Sequence, residues 1–418
     1  MSLLLLKSAT IIDATGKHHL KKRDVLIEKG VIKKIATSLQ EKGAREIELP
    51  NLHISRGWFD SSVSFGEPGY EERENISNGL RTAAFSGFTQ VAVNPNTNPV
   101  TDTKAGVQFL KAKAEGNPVS LFPVGALTVR GEGKDLAELY DMYNEGAVAF
   151  GDYKNPVKNP NLLKIALQYC QNFNALVQSM PYEPQVATKG VMNEELNSTR
   201  LGLKGIPALA EELQITRDLY LLEYTGGKLH IPTISTKTGV ELIRHAKKKG
   251  LNVSCSVAVA NLVLTDDELE EFDTNYKLLP PLRTEADRKA LIKGLKDGTI
   301  DGVTSDHDPI DIENKKTEFD HAMFGSIGLE SSFGALNAVL GTELAVQALT
   351  SLKERFGVPS AALEEGEVAN ITLFDPEPDY EFSEKDIRST SMNSAMLGKK
   401  LKGRAYGIYS NKKLVLNK

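Results

Sequence analysis

The chain of 418 residues has little cysteine, no long apolar run and no excess of positive charge. Its only cysteines, Cys170 and Cys255, lie far apart without a CxxC spacing. That excludes a disulfide scaffold and suits a reducing cytoplasm. No stretch approaches the ~18 apolar residues of a membrane span. The opening Met-Ser-Leu-Leu-Leu-Leu-Lys is too short for a signal-peptide core and has no basic flank. Lys and Arg total 50 against 55 Asp and Glu, a net charge of -5, so no global basic field attracts nucleic acid or anionic lipid. The expectation is a soluble cytoplasmic protein with no nucleic-acid or membrane partner. Two basic runs, Lys247–Lys249 and Lys399, Lys400, Lys402 and Arg404, read as solvated surface, the first as the last turn of a helix ending at Gly250.

What is present is an ordinary globular composition, 40% hydrophobic and 25% charged, in a chain long enough to bury a core without staples. Residues 3 to 52 read as short strands: Leu3–Leu6, Thr10–Ile12, Val25–Ile27, Val31–Ile35 and Ile47–Leu49, broken by Gly16, Gly30 and Gly43. Val368–Phe374 and Leu414–Leu416 repeat that texture at the other end. Between them, eight apolar β-rich runs alternate with amphipathic helical stretches. The runs are Phe59–Phe65, Thr89–Asn94, Val119–Val124, Ala147–Gly151, Ala175–Gln178, Leu229–Ile234, Asn252–Val257 and Gly302–Ser305. Helices are predicted over Lys134–Asn144, Pro207–Tyr224, Gly239–Lys249 and Glu285–Lys296. This is the pattern of an α/β protein, a (β/α)8 TIM barrel with a small β-sandwich built from both chain termini. A doubly wound sheet is the alternative, but no G-x-G-x-x-G follows the first strand. The expected division is 1–52 and 361–418 for the sandwich and 53–360 for the barrel.

In a barrel of this kind chemistry sits at the C-terminal ends of the strands. That points to Ser62, Ser64, Asn94, Asn96, Asp152, Gln178, Thr233, Ala258–Asn261 and Asp306–Asp308. Several stretches carry a further signal. They are Gly57-Trp-Phe-Asp60, Glu67-Pro-Gly69, Asn94-Pro-Asn-Thr-Asn-Pro99, Gly146-Ala-Val-Ala-Phe150 and Gly202-Leu-Lys-Gly-Ile-Pro207. Ile234-Ser-Thr236, Pro280-Pro-Leu-Arg283, Ser305-Asp-His307, Phe324-Gly325 and Gly328-Leu-Glu330 follow. In this order, over nearly the whole chain, they resemble the dihydroorotases, in the cyclic-amide branch of the amidohydrolase superfamily.

The resemblance implies zinc chemistry, with metal-bound hydroxide attacking the ring amide of dihydroorotate, or the reverse cyclisation of carbamoyl aspartate. A metal makes hydroxide available near neutral pH and polarises the carbonyl. The family takes two ligands from a His-x-His at the end of the first strand, where residues i and i+2 share a side. Here those positions are Ser62 and Ser64. The two later histidines correspond to Gln178 and Thr233. The arginine that would grip a substrate carboxylate corresponds to Gly66, and further substrate-side positions to Ala260, Asn261, Leu279 and Ile310. Asn96, Asp152 and Asp306 survive: Asn96 as a substrate-binding candidate, Asp152 among the degenerate metal positions with Ser62, Ser64, Gln178 and Thr233, and Asp306 as a vestigial proton shuttle.

The chain has only seven histidines, His18, His19, His53, His230, His245, His307 and His321. None restores a zinc set by spacing; His230, three residues before Thr233, is expected on the opposite strand face. Hydroxyls and an amide are poor zinc ligands beside thiolate, imidazole and carboxylate. The expectation is therefore no metal and no cofactor, although the family would use zinc.

Plainer readings stand beside each candidate. Asp306 reads better as a leftover carboxylate capping the last loop, and Asp60 as a structural acceptor near the mouth. Asp152 with Lys154 could mark a bridging ligand, but reads better as a salt-bridged surface pair in a turn; Tyr153 sits where the family tends to place a second Asp. Asn94 and Asn96 would hold a substrate carboxylate or cap the helix after Asp102. Cys255 reads as a packed core thiol, and His307 as a hydrogen-bonding residue rather than a ligand.

Three functions follow. The first is a non-catalytic protein of pyrimidine biosynthesis, since the resembled family includes inactive members that serve as structural partners of aspartate transcarbamoylase; the resemblance also suggests a homodimer. The second is an active cyclic-amide hydrolase with an altered metal site using Asp152, Asp306 and His307. The third is a small-molecule sensing module that reuses the barrel mouth. Fold alone separates none of them.

Overall fold

The computed structural model describes residues 3–417. All eight predicted runs form barrel strands, in chain order: β1 Trp58–Val63, β2 Phe88–Val93, β3 Ser120–Gly125, β4 Ala149–Phe150, β5 Val177–Gln178, β6 Leu229–Ile231, β7 Val253–Ala258 and β8 Gly302–Thr304. Each pairs in parallel with the next, from β1 to β8. A parallel bridge between Val63 and His307 joins the last strand's exit to the first, with the Ser64 amide donating to the His307 carbonyl at 2.7 Å. The strands read as continuous apolar runs because both faces are covered: β1, β2 and β7 are buried at every position.

The helices form where the sequence period predicts. Glu285–Lys296 matches its expected bounds, and Thr284 caps it reciprocally with Asp287 in a capping box. Lys237–Lys248 ends in the expected cationic turn. The Lys134–Asn144 expectation shrinks to Leu139–Glu145, because the stretch before it folds as an irregular loop.

The two chain ends build one mixed sheet. Its order is Lys413–Leu416, Lys400–Ser410, Ile371–Glu381, His53–Arg56, Leu3–Ile12, Lys22–Glu28, Val31–Ala36, with Arg45–Ile47 also on Leu3–Ile12. The strand His53–Arg56, beyond the division at residue 52, pairs here. Lys400–Ser410, read from its charges as surface, is a strand of this sheet: Leu401 is buried while Lys400 and Arg404 are exposed. The sheet has its own apolar cluster, including Leu6, Ile11, Ile27, Ile54, Ile371 and Leu373. Trp58, at the base of β1, packs against Phe333 at 4.8 Å and Phe374 at 5.6 Å and so ties barrel to sheet. Among the described residues no helix is long and apolar enough to cross a membrane.

Candidate functional site

The C-terminal strand ends do converge. Ser62, Asp152, Gln178, Thr233 and Asp306 line one cavity of about 20 Å³, with Lys154 among its walls. Ser64 lies beside it rather than on it. The Asn94 side-chain amide donates to the hydroxyls of Ser62 and Ser64 at 3.1 and 3.3 Å, linking the two serines. Ser62 then donates to Asp306 Oδ1 at 3.3 Å. A second cavity of about 20 Å³ lies on the far side of Asp306, against Ala260, Asn261 and Gly328. Each is room for about one water, whereas small-molecule sites run to roughly 300–1,000 Å³.

The charge at the centre is internal. The Lys154 ammonium lies 2.9 Å from Asp308 Oδ2 and 3.4 Å from Asp306 Oδ2. Burial opposes its charge, but the carboxylates of Asp306 and Asp308 outweigh burial and hold its pKa well above the usual lysine value. Burial pushes Asp306 up to about 6, with Asp308 pushing the same way and Lys154 and Ser62 opposing. Lys154 does not pair with Asp152, so the expected surface pair is corrected. Asp152 is itself buried and accepts from the Thr128 amide at 3.0 Å and the Thr128 hydroxyl at 2.6 Å. A lysine stem long enough to cross the mouth finds two carboxylates there, and one at 152 already satisfied by threonine leaves it no closer partner.

Several other readings change. His230 does not face away from the site: it pairs in register with Gln178 on β5 and Ser254 on β7 and lines the same cavity. The alternation argument fails because β6 ends at Ile231, and Thr233 lies beyond it with φ +47°. Burial, then the charges of Arg355 and Lys247, lowers His230 to about 3, and its ring nitrogens meet the hydroxyls of Ser254 at 2.8 Å and Ser256 at 3.2 Å. Asn96 lines neither cavity, and neither Asn94 nor Asn96 caps the next helix, a role taken by Thr103. Asp60 and Cys255 stand as their plain readings expect, while His307 is hydrogen-bonded through one ring nitrogen only, its Nε2 being buried without a partner. Asp60 accepts from the Ser62 and Ser305 amides and the Thr304 hydroxyl. Cys255 is buried. His307 Nδ1 accepts from the Gly328 amide at 3.1 Å, at the start of a helix.

The position matching the family arginine is closed, not merely vacated. A Cβ on Gly66 would lie 1.9 Å from the Tyr70 carbonyl oxygen, because the 66–74 loop turns tightly, with the Tyr70 amide donating to the Gly66 carbonyl at 2.7 Å. Arg283 of the Pro-Pro-Leu-Arg stretch is likewise spent on structure, donating to Asn193 Oδ1 and the Ile206 carbonyl, both at 2.7 Å. Three residues just past strand ends, Tyr153, Thr233 and Asp306, hold positive φ values of 54°, 47° and 48°. Such strain costs roughly 1–3 kcal/mol each and clusters at sites where side chains must be aimed.

The chain is 40% identical over 408 residues to the dihydroorotase of Pelotomaculum thermopropionicum, covering 96% of this chain and 95% of that protein. It belongs to the dihydroorotase family. The Dihydro-orotase-like family profile matches residues 53–239. The dihydroorotase of Ruminiclostridium cellulolyticum is 38% identical over 410 residues, covering 96% of this chain and 95% of that protein. The fold is shared with the L-hydantoinase of Arthrobacter aurescens at a TM-score of 0.86 and 21% identity, over 100% of this chain and 97% of that one. It is shared too with the dihydropyrimidinase of Brevibacillus agri, at a TM-score of 0.83 and 21% identity, over 99% and 95%. The chain is thus an α/β barrel protein of the amidohydrolase superfamily, in its cyclic-amide branch.

The zinc that dihydroorotase-family resemblance implies does not fit these residues. Among the described residues no group of three or more His, Cys, Asp or Glu side chains is arranged to hold a metal ion. Of the zinc-type donors facing the cavity, Asp152 is held by Thr128, both His230 ring nitrogens meet serine hydroxyls, and Asp306 is beside an ammonium that would repel a dication; the rest are hydroxyls and an amide. The sequence placed these strand-end residues together but did not show that Lys154 bridges Asp306 and Asp308. The i, i+2 spacing of Asp306 and Asp308 was the available signal.

Proposed function

We propose that this dihydroorotase-family protein is non-catalytic and acts in pyrimidine biosynthesis as a structural partner of aspartate transcarbamoylase. The observation that carries the reading is the mouth of the barrel. Ser62, Gln178 and Thr233 stand at three positions matching metal histidines, around a cavity of about 20 Å³, and the Lys154 ammonium lies between Asp308 at 2.9 Å and Asp306 at 3.4 Å. Ser64, at the fourth, is tied up by Asn94. A ring substrate has no room there, and Gly66 lies where backbone excludes any side chain that would hold its carboxylate. The same closure counts against a small-molecule sensor.

Family motifs outside the mouth are in use as scaffold, which is what a partner role requires. Glu330, for example, accepts from the Ser389 amide and hydroxyl at 3.0 and 2.6 Å.

The test is zinc content and dihydroorotate hydrolysis measured on one sample purified without chelator. The expected result is substoichiometric zinc, no turnover, and co-elution with aspartate transcarbamoylase in the absence of added metal. Near-stoichiometric zinc with turnover would overturn the reading.

A further inference from the structure

The open space in this molecule lies away from the mouth. At the seam between barrel and terminal sheet there is a cleft of about 430 Å³, within the range of small-molecule sites. Its walls are the end of the helix Ile76–Phe85, the helix Leu329–Leu340, the strands Ile371–Glu381 and Lys400–Ser410, and the turn at 384–388. Phe85, Phe333, Tyr380 and Tyr406 give it an aromatic lining. Two other clefts, of about 470 and 420 Å³, spend donors on the fold. In the first, Arg355 donates to the Leu229 and Asn252 carbonyls; in the second, Lys111 and Lys413 donate to those of Glu145 and Gly116.

At the seam the cations are not spent. Of the three basic side chains on the cleft, Arg404 is paired, with Asp386 at 2.7 Å. Among the described residues Lys385, Arg388 and the neighbouring Arg81 make no ion pair, and the Arg388 guanidinium makes no hydrogen bond. The other acid of the cleft, Glu330, is turned to backbone, its Oε1 accepting from the Arg388 amide at 3.2 Å and the Ser389 amide at 3.0 Å. Arg388 is nonetheless held in place. Its amide is bound by Glu330, its carbonyl accepts from the Asn78 side chain at 3.0 Å, and its guanidinium carbon lies 4.5 Å from the centre of the Phe85 ring. A guanidinium fixed by its face keeps its N–H edge open, in the fork that matches a carboxylate or phosphate. Arg81 shares the Phe85 ring at 5.6 Å, so an anion bound there relieves repulsion between like charges.

Two acceptors on the same walls ask for something else. Glu330 Oε2 and Asn417 Oδ1 are buried without a partner, and a buried acceptor left unmet calls for a donor. A ligand that satisfies the whole set carries an anionic group, a flat apolar body and N–H donors. We infer that this cleft binds a nucleoside monophosphate, its phosphate on Arg388 and Lys385 and its base against the aromatic lining. A bare phosphate would leave that lining and both acceptors unused. The inference stands whether or not the barrel mouth is catalytic.

The experiment is titration calorimetry on the full chain with uridine and adenosine monophosphates, and with the two nucleosides and inorganic phosphate as half-ligands. At least one nucleotide is expected to bind with Kd below about 1 mM, and each half-ligand about 10-fold more weakly or worse. Arg388→Ala should raise the nucleotide Kd about 10-fold or more, the loss expected for charge-assisted bonds, and Lys385→Ala less. Arg200→Ala, which removes an exposed arginine paired with Glu270 elsewhere, should change nothing. The Arg388 side chain makes no bond that folding needs, so unliganded Arg388→Ala should unfold at the wild-type temperature, and the nucleotide should raise that temperature for the wild type alone. Absence of binding by both nucleotides at about 1 mM overturns the inference. So does a nucleotide whose affinity Arg388→Ala leaves unchanged, since it binds elsewhere. Inorganic phosphate binding as tightly as the nucleotide would overturn it too, reducing the cleft to a basic patch.

Discussion

The mouth of the barrel and the outer face of the 160–170 and 208–225 helices allocate their side chains in opposite ways. At the mouth the charged groups and several polar ones are engaged with each other, Asn94 with two serines, Ser62 with Asp306, Lys154 with Asp306 and Asp308, although the buried Ser61 hydroxyl and His307 Nε2 find no partner. On the outer face, where a protein normally spends its charge, tyrosines and leucines stand uncovered. Polar groups satisfied within a closed cavity specify structure, and exposed aromatic groups specify contact. The difference separates a mouth whose charges are paired internally from an outer face that leaves apolar surface uncovered.

That comparison breaks most readily at Lys154. If the ammonium is the mouth's structural cation, Lys154→Met leaves two carboxylates facing one another and should cost about 3–5 kcal/mol, the range for removing one partner of a buried pair. The measurement is urea unfolding at pH 8 and pH 5. The loss should be smaller at pH 5, where Asp306, released from the lysine, takes up a proton. Adding Asp306→Asn should recover part of it. A loss below about 1 kcal/mol at pH 8 would mean a solvated pair and an open mouth.

The second prediction concerns pH in the unaltered chain. Asp306 is raised from 3.8 to about 6. Between these values the folded protein holds a proton that the unfolded chain has released. Its contribution therefore makes stability fall as pH rises from about 4 to 6, and level off above, by at most about 3 kcal/mol. Asp60 and Asp152, also raised by burial, act in the same direction, while Asp24 and Glu285, lowered, act in the other. The useful quantity is thus the difference between wild type and Asp306→Asn. That difference should change across pH 4–6 and be flat above pH 7; a flat difference throughout would leave Asp306 an ordinary carboxylate.

A third, smaller effect tests how firmly the substrate side is shut. Gly66→Ala puts a methyl group against the Tyr70 carbonyl and should cost about 1–3 kcal/mol in thermal or urea unfolding, as overpacking does. A neutral substitution would show a 66–74 loop able to yield to a side chain, and with it to a substrate-binding arginine.

Much of this was legible in residue order alone. Eight apolar runs alternating with helical stretches are long-range information repeated eight times, and each strand lies within a few residues of its expected place. That Ser62, Gln178 and Thr233 meet at one cavity was legible because strand-end position fixes which side chains meet; that they match metal histidines is what the dihydroorotase resemblance implies. What stayed hidden depended on side-chain reach. Lys154 spans from the β4 exit to Asp308, 154 residues away, while Asp152, two residues earlier, binds Thr128. His230 faces the cavity because its strand stops short of Thr233, and no periodicity marks the residue at which a three-residue strand ends. The strand Lys400–Ser410 was concealed by lysines and an arginine that decorate one exposed face while Leu401 enters the core.

The smallest effect expected is a gain. Thr233 is a β-branched residue held at φ +47°, a conformation that only glycine and, less well, asparagine and aspartate visit readily. In an enzyme such strain is retained because it aims a ligand or a catalytic group. On the reading proposed above the aim serves nothing, the Thr233 hydroxyl lying 4.0 Å from the Met180 sulfur. Thr233→Asn keeps a polar side chain of similar size, tolerates the left-handed backbone, and should raise stability by up to about 1 kcal/mol. Thermal unfolding, read alongside co-elution with aspartate transcarbamoylase, decides the matter. A more stable protein that still binds its partner is what a scaffold would give. A stabilised variant that loses the partner would show the mouth taking part in recognition after all, and the division between inside and outside would have to be redrawn.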